Sequence, residues 1–249
     1  TERKILDAVG FSISEREKIG VIGINGMGKS TLLKIAAGIE EADLGKVSMG
    51  NQVKVCYLPQ TPVFEEEMTV LEAAIAGGVG GPDRFTAEAE AKAMLNRLGF
   101  TDYGERVEHM SGGQRKRAAL INVLLEPADI LILDEPTNHL DSEMSEWLEE
   151  YLIRYRGAIL MVTHDRYFLD RVASRIVEVD GGKLYSYPGN YSEFVRLKGE
   201  RQDMELAAQR KRKSLLRTEL QWLSRGARAR STKQKAHIDR IMAMQEIQD

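Results

Sequence analysis

Cysteine is nearly absent: Cys56 stands alone among 249 residues, which excludes a disulfide scaffold. It lies between apolar neighbours in Val53–Tyr57, where a small core residue is expected rather than a reactive thiol. No run approaches the roughly 20 apolar residues that a membrane-spanning helix needs, and no basic-then-apolar leader opens the chain. The chain begins at Thr1 rather than Met, and Arg3–Leu6 read like the middle of an element, so a fragment of a longer protein is expected. Proline is missing after Leu197, where only Gly199 and Gly226 interrupt a polar, helix-favouring stretch. What remains is 43% hydrophobic and 29% charged, too apolar for a wholly disordered chain and long enough for a sizeable core.

Two regimes follow from this. Residues 1–197 mix short apolar runs with glycine turns. Ile19–Ile22, Val53–Leu58, Ile130–Leu133, Ile159–Val162 and Ile176–Val179 are predicted strands, several buried on both faces. Lys29–Ala37, Ala87–Leu98, Gln114–Leu125 and Glu143–Tyr155 are predicted helices. Strands alternating with helices predict an α/β fold with a largely parallel sheet. The formal charge of −3 conceals an asymmetry: residues 198–249 carry 13 Lys+Arg against 7 Asp+Glu, and the remainder 22 against 31. An acidic body followed by a basic tail points the tail towards a polyanion. Leu206, Leu216, Leu220 and Leu223 predict one helix there. A basic loop, Ser224–Lys235, follows. Ser231 with Gln234 caps a second helix carrying Ile238, Ile241 and Met242, which makes a helical hairpin.

Four motifs carry chemistry. Gly23-Ile24-Asn25-Gly26-Met27-Gly28-Lys29-Ser30, followed by Thr31, has the phosphate-binding-loop spacing after an apolar strand and at the start of a helix. Its glycines let several backbone N–H groups converge on one phosphate, and the helix N-terminus adds positive potential. Lys29 supplies a point charge to the β- and γ-phosphates, and the Ser30 hydroxyl is a hard ligand for Mg²⁺. Ile130–Leu133 run into Asp134-Glu135-Pro136, two carboxylates at a strand end. Asp134 is expected to hold Mg²⁺ through water, and Glu135 to polarise the attacking water. Ser111-Gly112-Gly113-Gln114 opens a helix with exposed backbone N–H groups, a pattern common by chance when taken alone. Thr163-His164-Asp165 closes another apolar strand, and His164 on its own reads as a satisfied structural histidine.

Together with Gln60 in Tyr57-Leu58-Pro59-Gln60 and Asn138-His139-Leu140-Asp141, these motifs occur in the order of an ABC-type ATPase domain, which residues 1–197 resemble. The resemblance implies a P-loop NTPase fold: a parallel-sheet core with antiparallel β and helical subdomains. It implies ATP and Mg²⁺ as ligands, with Ser30, Gln60 and Asp134 around the metal. Gln60 would sense the γ-phosphate, Glu135 and His164 would serve hydrolysis, and Asp141 would communicate across a domain pair. Ser111–Gln114 would close over ATP held by a second, facing domain.

Pro136–Asp141, Thr163–Leu169, Tyr187-Pro188-Gly189-Asn190-Tyr191 and the basic hairpin resemble the ABC-F group, which has no transmembrane domain. Trp222–Ala236 look most like its bacterial Uup-type branch. That resemblance implies two ATPase domains in one protein, joined by a linker corresponding to 198–249. It implies a cytoplasmic translation factor that enters the ribosomal exit site when ATP-bound and reaches towards peptidyl-site tRNA. Arg225, Arg228, Arg230, Lys233 and Lys235, with no acidic residue among them, are the candidate RNA contacts. Only Trp222 could stack on bases. The aromatic residue that stacks on adenine in the family belongs upstream of Ile5–Ser12, so base recognition is unassigned. Ala76–Thr86 is short and glycine-rich where family members often carry a longer helical insertion, the arm: either the arm is truly small here, or its residues are missing from the sequence at this point. Two other classes stay open: the ATPase subunit of a membrane transporter, and a DNA-associated ATPase.

Overall fold

The computed structural model describes residues 5–65, 67–76 and 84–224. Most of the glycine-rich stretch, the basic loop with Arg225, Arg228, Arg230, Lys233 and Lys235, and the second hairpin helix lie outside the described residues. The chain divides into two compact units, Thr1–Phe194 and Val195–Asp249.

Within the first unit the apolar runs assemble one six-stranded sheet in the order β2-β3-β4-β1-β5-β6. The strands are β1 (Lys18–Gly23), β2 (Val55–Leu58), β3 (Ile130–Asp134), β4 (Ala158–Val162), β5 (Arg175–Asp180) and β6 (Lys183–Pro188). The first five run parallel, and β6 pairs antiparallel with β5. All five residues of β4 are buried, as are Leu131–Asp134 of β3. Continuous burial explains why these strands read as unbroken apolar runs rather than alternating patterns. One core cluster joins Ile19 and Val21, Ile132, Leu160 and Val162, and Val177 and Val179 of the sheet to Leu32 and Leu33 of α1 (Lys29–Ala36).

Between β2 and β3 the chain makes α2 (Val70–Ile75), α3 (Arg84–Arg97) and α4 (Gly112–Leu125), which pack on one another as a helical layer. Thr69 and Glu72 form a reciprocal cap that starts the six-residue α2. α5 (Ser142–Arg154) and α6 (Arg166–Val172) flank β4, each started by an aspartate. Asp141 accepts the Met144 N–H, and Asp165 accepts those of Tyr167 and Phe168. After β6 the chain enters α7 (Tyr191–Ser224), 34 residues long.

Parallel strands place all their C-terminal ends on one edge of the sheet. Gly23, Leu58, Asp134 and Val162 therefore deliver the phosphate loop, the Gln60 loop, Glu135 and His164 to the same edge, where ligands bind in open α/β sheets.

Candidate functional site

Gly23 ends β1, and the chain turns through Ile24–Met27 into α1. The residue before α1, Gly28, is left-handed, and no side chain caps the helix. The first-turn N–H groups are thus left for an anion. Lys29 is buried to 8% exposure and folds back over the loop. Its ammonium donates to Gly23 O at 2.8 Å, Ile24 O at 3.2 Å and Asn25 Oδ1 at 3.1 Å. Desolvation lowers the Lys29 pKa, against the opposing pull of Glu135 and then Asp134. Ser30 and Thr31 follow in the first turn of α1, half-buried.

Opposite the loop stand the two carboxylates, Asp134 at 2% exposure and Glu135 at 5%. The Glu135 backbone is left-handed, at φ 54°, and its N–H donates to Val162 O at 2.8 Å. Such a conformation is costly for a residue with a Cβ, and its use here separates Glu135 from the strand direction of Asp134. Glu135 Oε1 lies 3.3 Å from His164 Nε2, while its buried Oε2 has no hydrogen-bond partner. Burial raises the Glu135 pKa most, and His164 opposes the rise. A buried carboxylate with one oxygen unclaimed is a ready acceptor for a water hydrogen. His164 itself is largely exposed. Thr163 beneath it is buried and hydrogen-bonded to Thr137 between the two hydroxyls, at 2.6 Å.

Gln60 is exposed just beyond β2. Lys29, Asp134, Glu135 and His164 converge, but Ser111 and Gln114 turn towards each other. Ser111 Oγ accepts the Gln114 N–H at 3.3 Å, and Gln114 Oε1 accepts the Ser111 N–H at 2.9 Å. This capping box leaves Gly112 open at the helix start. Behind Gly113 sits His139, so close that a Cβ on the glycine would stand 3.1 Å from His139 Cβ. The Asn138–Asp141 loop thereby leans on the start of α4 within the same unit. A cavity lined by Thr137, Asn138, Asp141, Ser145, His164 and Asp165, about 300 Å³ in volume, adjoins the catalytic candidates.

Three features of this edge were not anticipated. The Ser111-x-x-Gln114 spacing is itself a capping signature and was readable as one. The Thr137–Thr163 pair joins residues distant in the chain and leaves no local signal. Lys116 is the third. It is 3% exposed inside α4, and its ammonium donates to Pro59 O at 2.5 Å and Asp134 O at 2.6 Å. Burial pushes its pKa down to about 8.

Hard-oxygen donors suit Mg²⁺ at this edge: the Ser30 hydroxyl, the Gln60 amide oxygen and the buried Asp134 carboxylate. Among the described residues no group of three or more His, Cys, Asp or Glu could hold a metal unaided. Such a site is completed by a ligand's own phosphates. Among the described residues no helix is long and apolar enough to cross a membrane.

A glycine-rich loop on a parallel strand, an uncapped helix, and paired carboxylates on a neighbouring strand define a P-loop ATPase domain of the ABC type. A family model described as ABC transporter matches residues 6–138, and a second with the same description matches residues 177–249. The chain belongs to the ABC transporter family.

Its relatives narrow the position within that family. The chain is 42% identical to the "Uncharacterized ABC transporter ATP-binding protein YfmR" of Bacillus subtilis, across 98% of this chain and 45% of that protein. It is 37% identical to the "Energy-dependent translational throttle protein EttA" of Haemophilus influenzae, across 96% of this chain and 50% of that protein. The chain thus spans about half the length of the curated relatives it matches. Both alignments run longer than this chain's 249 residues, so these relatives carry internal residues without a counterpart here. Among solved structures, the archaeal ribosome recycling factor aABCE1, in complex with the ribosomal stalk protein aP1, superposes with a TM-score of 0.60 at 30% identity. That match covers 76% of this chain and 37% of the other.

Proposed function

We propose that this chain is the ATPase domain and basic linker of an ABC-F translation factor of the Uup-type branch. In this reading it converts ATP and water to ADP and phosphate, enters the ribosomal exit site while ATP-bound, and leaves after hydrolysis. The observation that carries the reading is the 37% identity to a protein named as a translational throttle, extending over nearly the whole chain, helix α7 included. Further support comes from α7 itself, whose Arg210, Lys211, Arg212 and Lys213 are all exposed. A 34-residue helix is roughly 51 Å long, ample for carrying a basic loop to a phosphate backbone.

The chemistry assigned to the site is positioning and charge neutralisation. Backbone N–H groups of Gly23–Gly28 and the start of α1, together with Lys29, Ser30 and Thr31, hold the β- and γ-phosphates. The Lys29 ammonium must leave its three loop acceptors to reach a phosphate, exchanging neutral oxygens for charged ones. Ser30, Gln60 and Asp134 would hold Mg²⁺, which when bound neutralises phosphate charge. Glu135 Oε2 accepts a hydrogen from the attacking water and aims its oxygen at the γ-phosphate, while His164 steadies the Glu135 carboxylate through Oε1 and faces the γ-phosphate. Ser111–Gln114 close on ATP held by a second ABC domain of the same protein, and Asp141 couples the two. In the linker, Arg225, Arg228, Arg230, Lys233 and Lys235 contact peptidyl-site tRNA. The residues 198–249 act as that linker, 1–197 as the ATPase domain, and the protein works in the cytoplasm without a membrane partner.

Imaging ribosomes by cryo-EM in the presence of ATP and the protein carrying this chain tests the reading. Density for 225–235 beside peptidyl-site tRNA is expected. Recovery of the protein with a membrane partner, or on duplex DNA but not on ribosomes, would overturn it.

A further inference from the structure

The β2–β3 ladder runs in parallel register from Val55↔Ile130 to Leu58↔Leu133. Its next step would set Pro59 against Asp134. The ladder stops at Leu58↔Leu133. Two carbonyls, Pro59 O and Asp134 O, are then left at the edge where Gln60 and Glu135 begin. Lys116 answers both, at 2.5 and 2.6 Å, from the second turn of α4. A buried ammonium with only neutral oxygens as direct acceptors is expensive, and a methionine would fill similar space without that cost. The charge has a use beyond packing: the carboxylates of Asp134 and Glu135 attract it.

We infer that Lys116 is a positioning residue for ATP hydrolysis. It ties the start of the signature helix to the Gln60 loop and the Asp134–Glu135 strand end, so that these three segments keep one relative placement. The chain of contacts is short. Ser111–Gln114 cap the same helix whose fifth residue is Lys116. Pro59 is bonded to Gln60, and Asp134 to Glu135. A shift of α4 when Gly112 and Gly113 meet a nucleotide is therefore passed through one ammonium to the metal-holding and water-holding groups together. The Lys116 ammonium donates to Pro59 and Asp134 and not to the phosphate loop, so nucleotide capture is left to Lys29 and its loop. The inference rests on the roles given above to Gln60, Asp134 and Glu135.

The test compares Lys116→Met, Lys116→Arg and Glu135→Gln in the protein carrying this chain. Steady-state ATPase, Mg²⁺ titration, binding of a fluorescent ATP analogue and thermal unfolding are measured for each. Loss of a charged hydrogen bond predicts that Lys116→Met lowers kcat by about tenfold or more. The half-saturating Mg²⁺ concentration rises as well, while analogue affinity without Mg²⁺ stays within about twofold, a difference too small to carry the lost turnover. Lys116→Arg, whose guanidinium reaches two acceptors, recovers most of the turnover. Should the methionine variant fail to fold, Lys116→Gln, which keeps one amide donor without the charge, takes its place with the same expectations. Wild-type kcat in the folded neutral variant overturns the inference. So does equal loss of analogue binding and turnover, or an arginine variant that folds yet stays as slow as the methionine one. Undiminished hydrolysis in Glu135→Gln would instead refute the site reading on which the inference depends.

Discussion

Two glycines of the phosphate loop offer a contrast that the geometry makes quantitative. Gly23 and Gly26 both have positive φ, at 151° and 78°. Gly26 is open: a Cβ placed there meets nothing within 4 Å. At Gly23 a Cβ would stand 2.5 Å from Val179 O and 3.4 Å from Val179 C. Gly23 and Val179 are register partners in β1 and β5, and Val179 is also paired with Leu184 of β6, so the Val179 backbone lies between two strands. It cannot rotate away as a side-chain terminus would. Gly26→Ala should cost the left-handed penalty of about 1–2 kcal/mol, reduced by about 0.4–1 kcal/mol through the stiffer unfolded chain. Gly23→Ala carries a similar backbone cost and an overpacking cost of about 1–3 kcal/mol besides. Urea unfolding should therefore place Gly23→Ala below Gly26→Ala by about 1–3 kcal/mol. Nucleotide affinity should fall in parallel for Gly23→Ala, because Gly23 ends β1 and a shift there displaces the start of the phosphate loop. Equal midpoints for the two variants at equal slope would refute this reasoning.

Glu135→Gln should lower turnover by about 10²-fold or more while keeping nucleotide binding, measured by phosphate release and analogue titration. Ser111→Ala removes one half of the cap on α4 and should cost about 1 kcal/mol in denaturant unfolding, which separates the structural from the nucleotide-contacting share of that residue. Cys56, 5% exposed with its thiol pushed up to about 12 by burial and then by Glu126, should resist iodoacetamide at pH 8.5 until the protein is unfolded. Because its folded pKa lies above its ordinary value of 9.0, the unfolded chain sheds this proton first, so stability falls as pH rises from 9 towards 12. Cys56→Ala should show a smaller fall than the parent over that range.

Much of this fold was legible because the sheet is buried on both faces. Ile130–Leu133 and Ile159–Val162 carry no polar interruption, and each ends where chemistry begins. β6 was harder to read: Lys183–Pro188 has neither an unbroken apolar run nor strict alternation, and Tyr187-Pro188-Gly189-Asn190-Tyr191 drew attention as a motif rather than a strand. α2 is too short for helical periodicity, although Thr69-x-x-Glu72 announced its start. Within the site, Lys29, Asp134 and Glu135 could be located from spacing alone, because strand and helix ends must carry them. Lys116 could not be located that way. A lysine between Arg115 and Arg117 looks like part of a solvated basic run. Only the folded chain brings Pro59 O and Asp134 O together as the acceptors that a buried cation answers there. The contact of His139 with Gly113 joins residues 26 positions apart and needs the folded chain to be visible.

The account's central claim is that the ATP state of this domain is the ribosome-bound state. Its most direct measurement is co-sedimentation of the protein with ribosomes, comparing wild type with Glu135→Gln in every ATPase domain, with ATP and with ADP. The account predicts that the glutamine variant pellets with ribosomes in ATP and is released in ADP, while the hydrolysing wild type pellets less. Ribosome binding that is absent, or identical in ATP and ADP for both proteins, would contradict it.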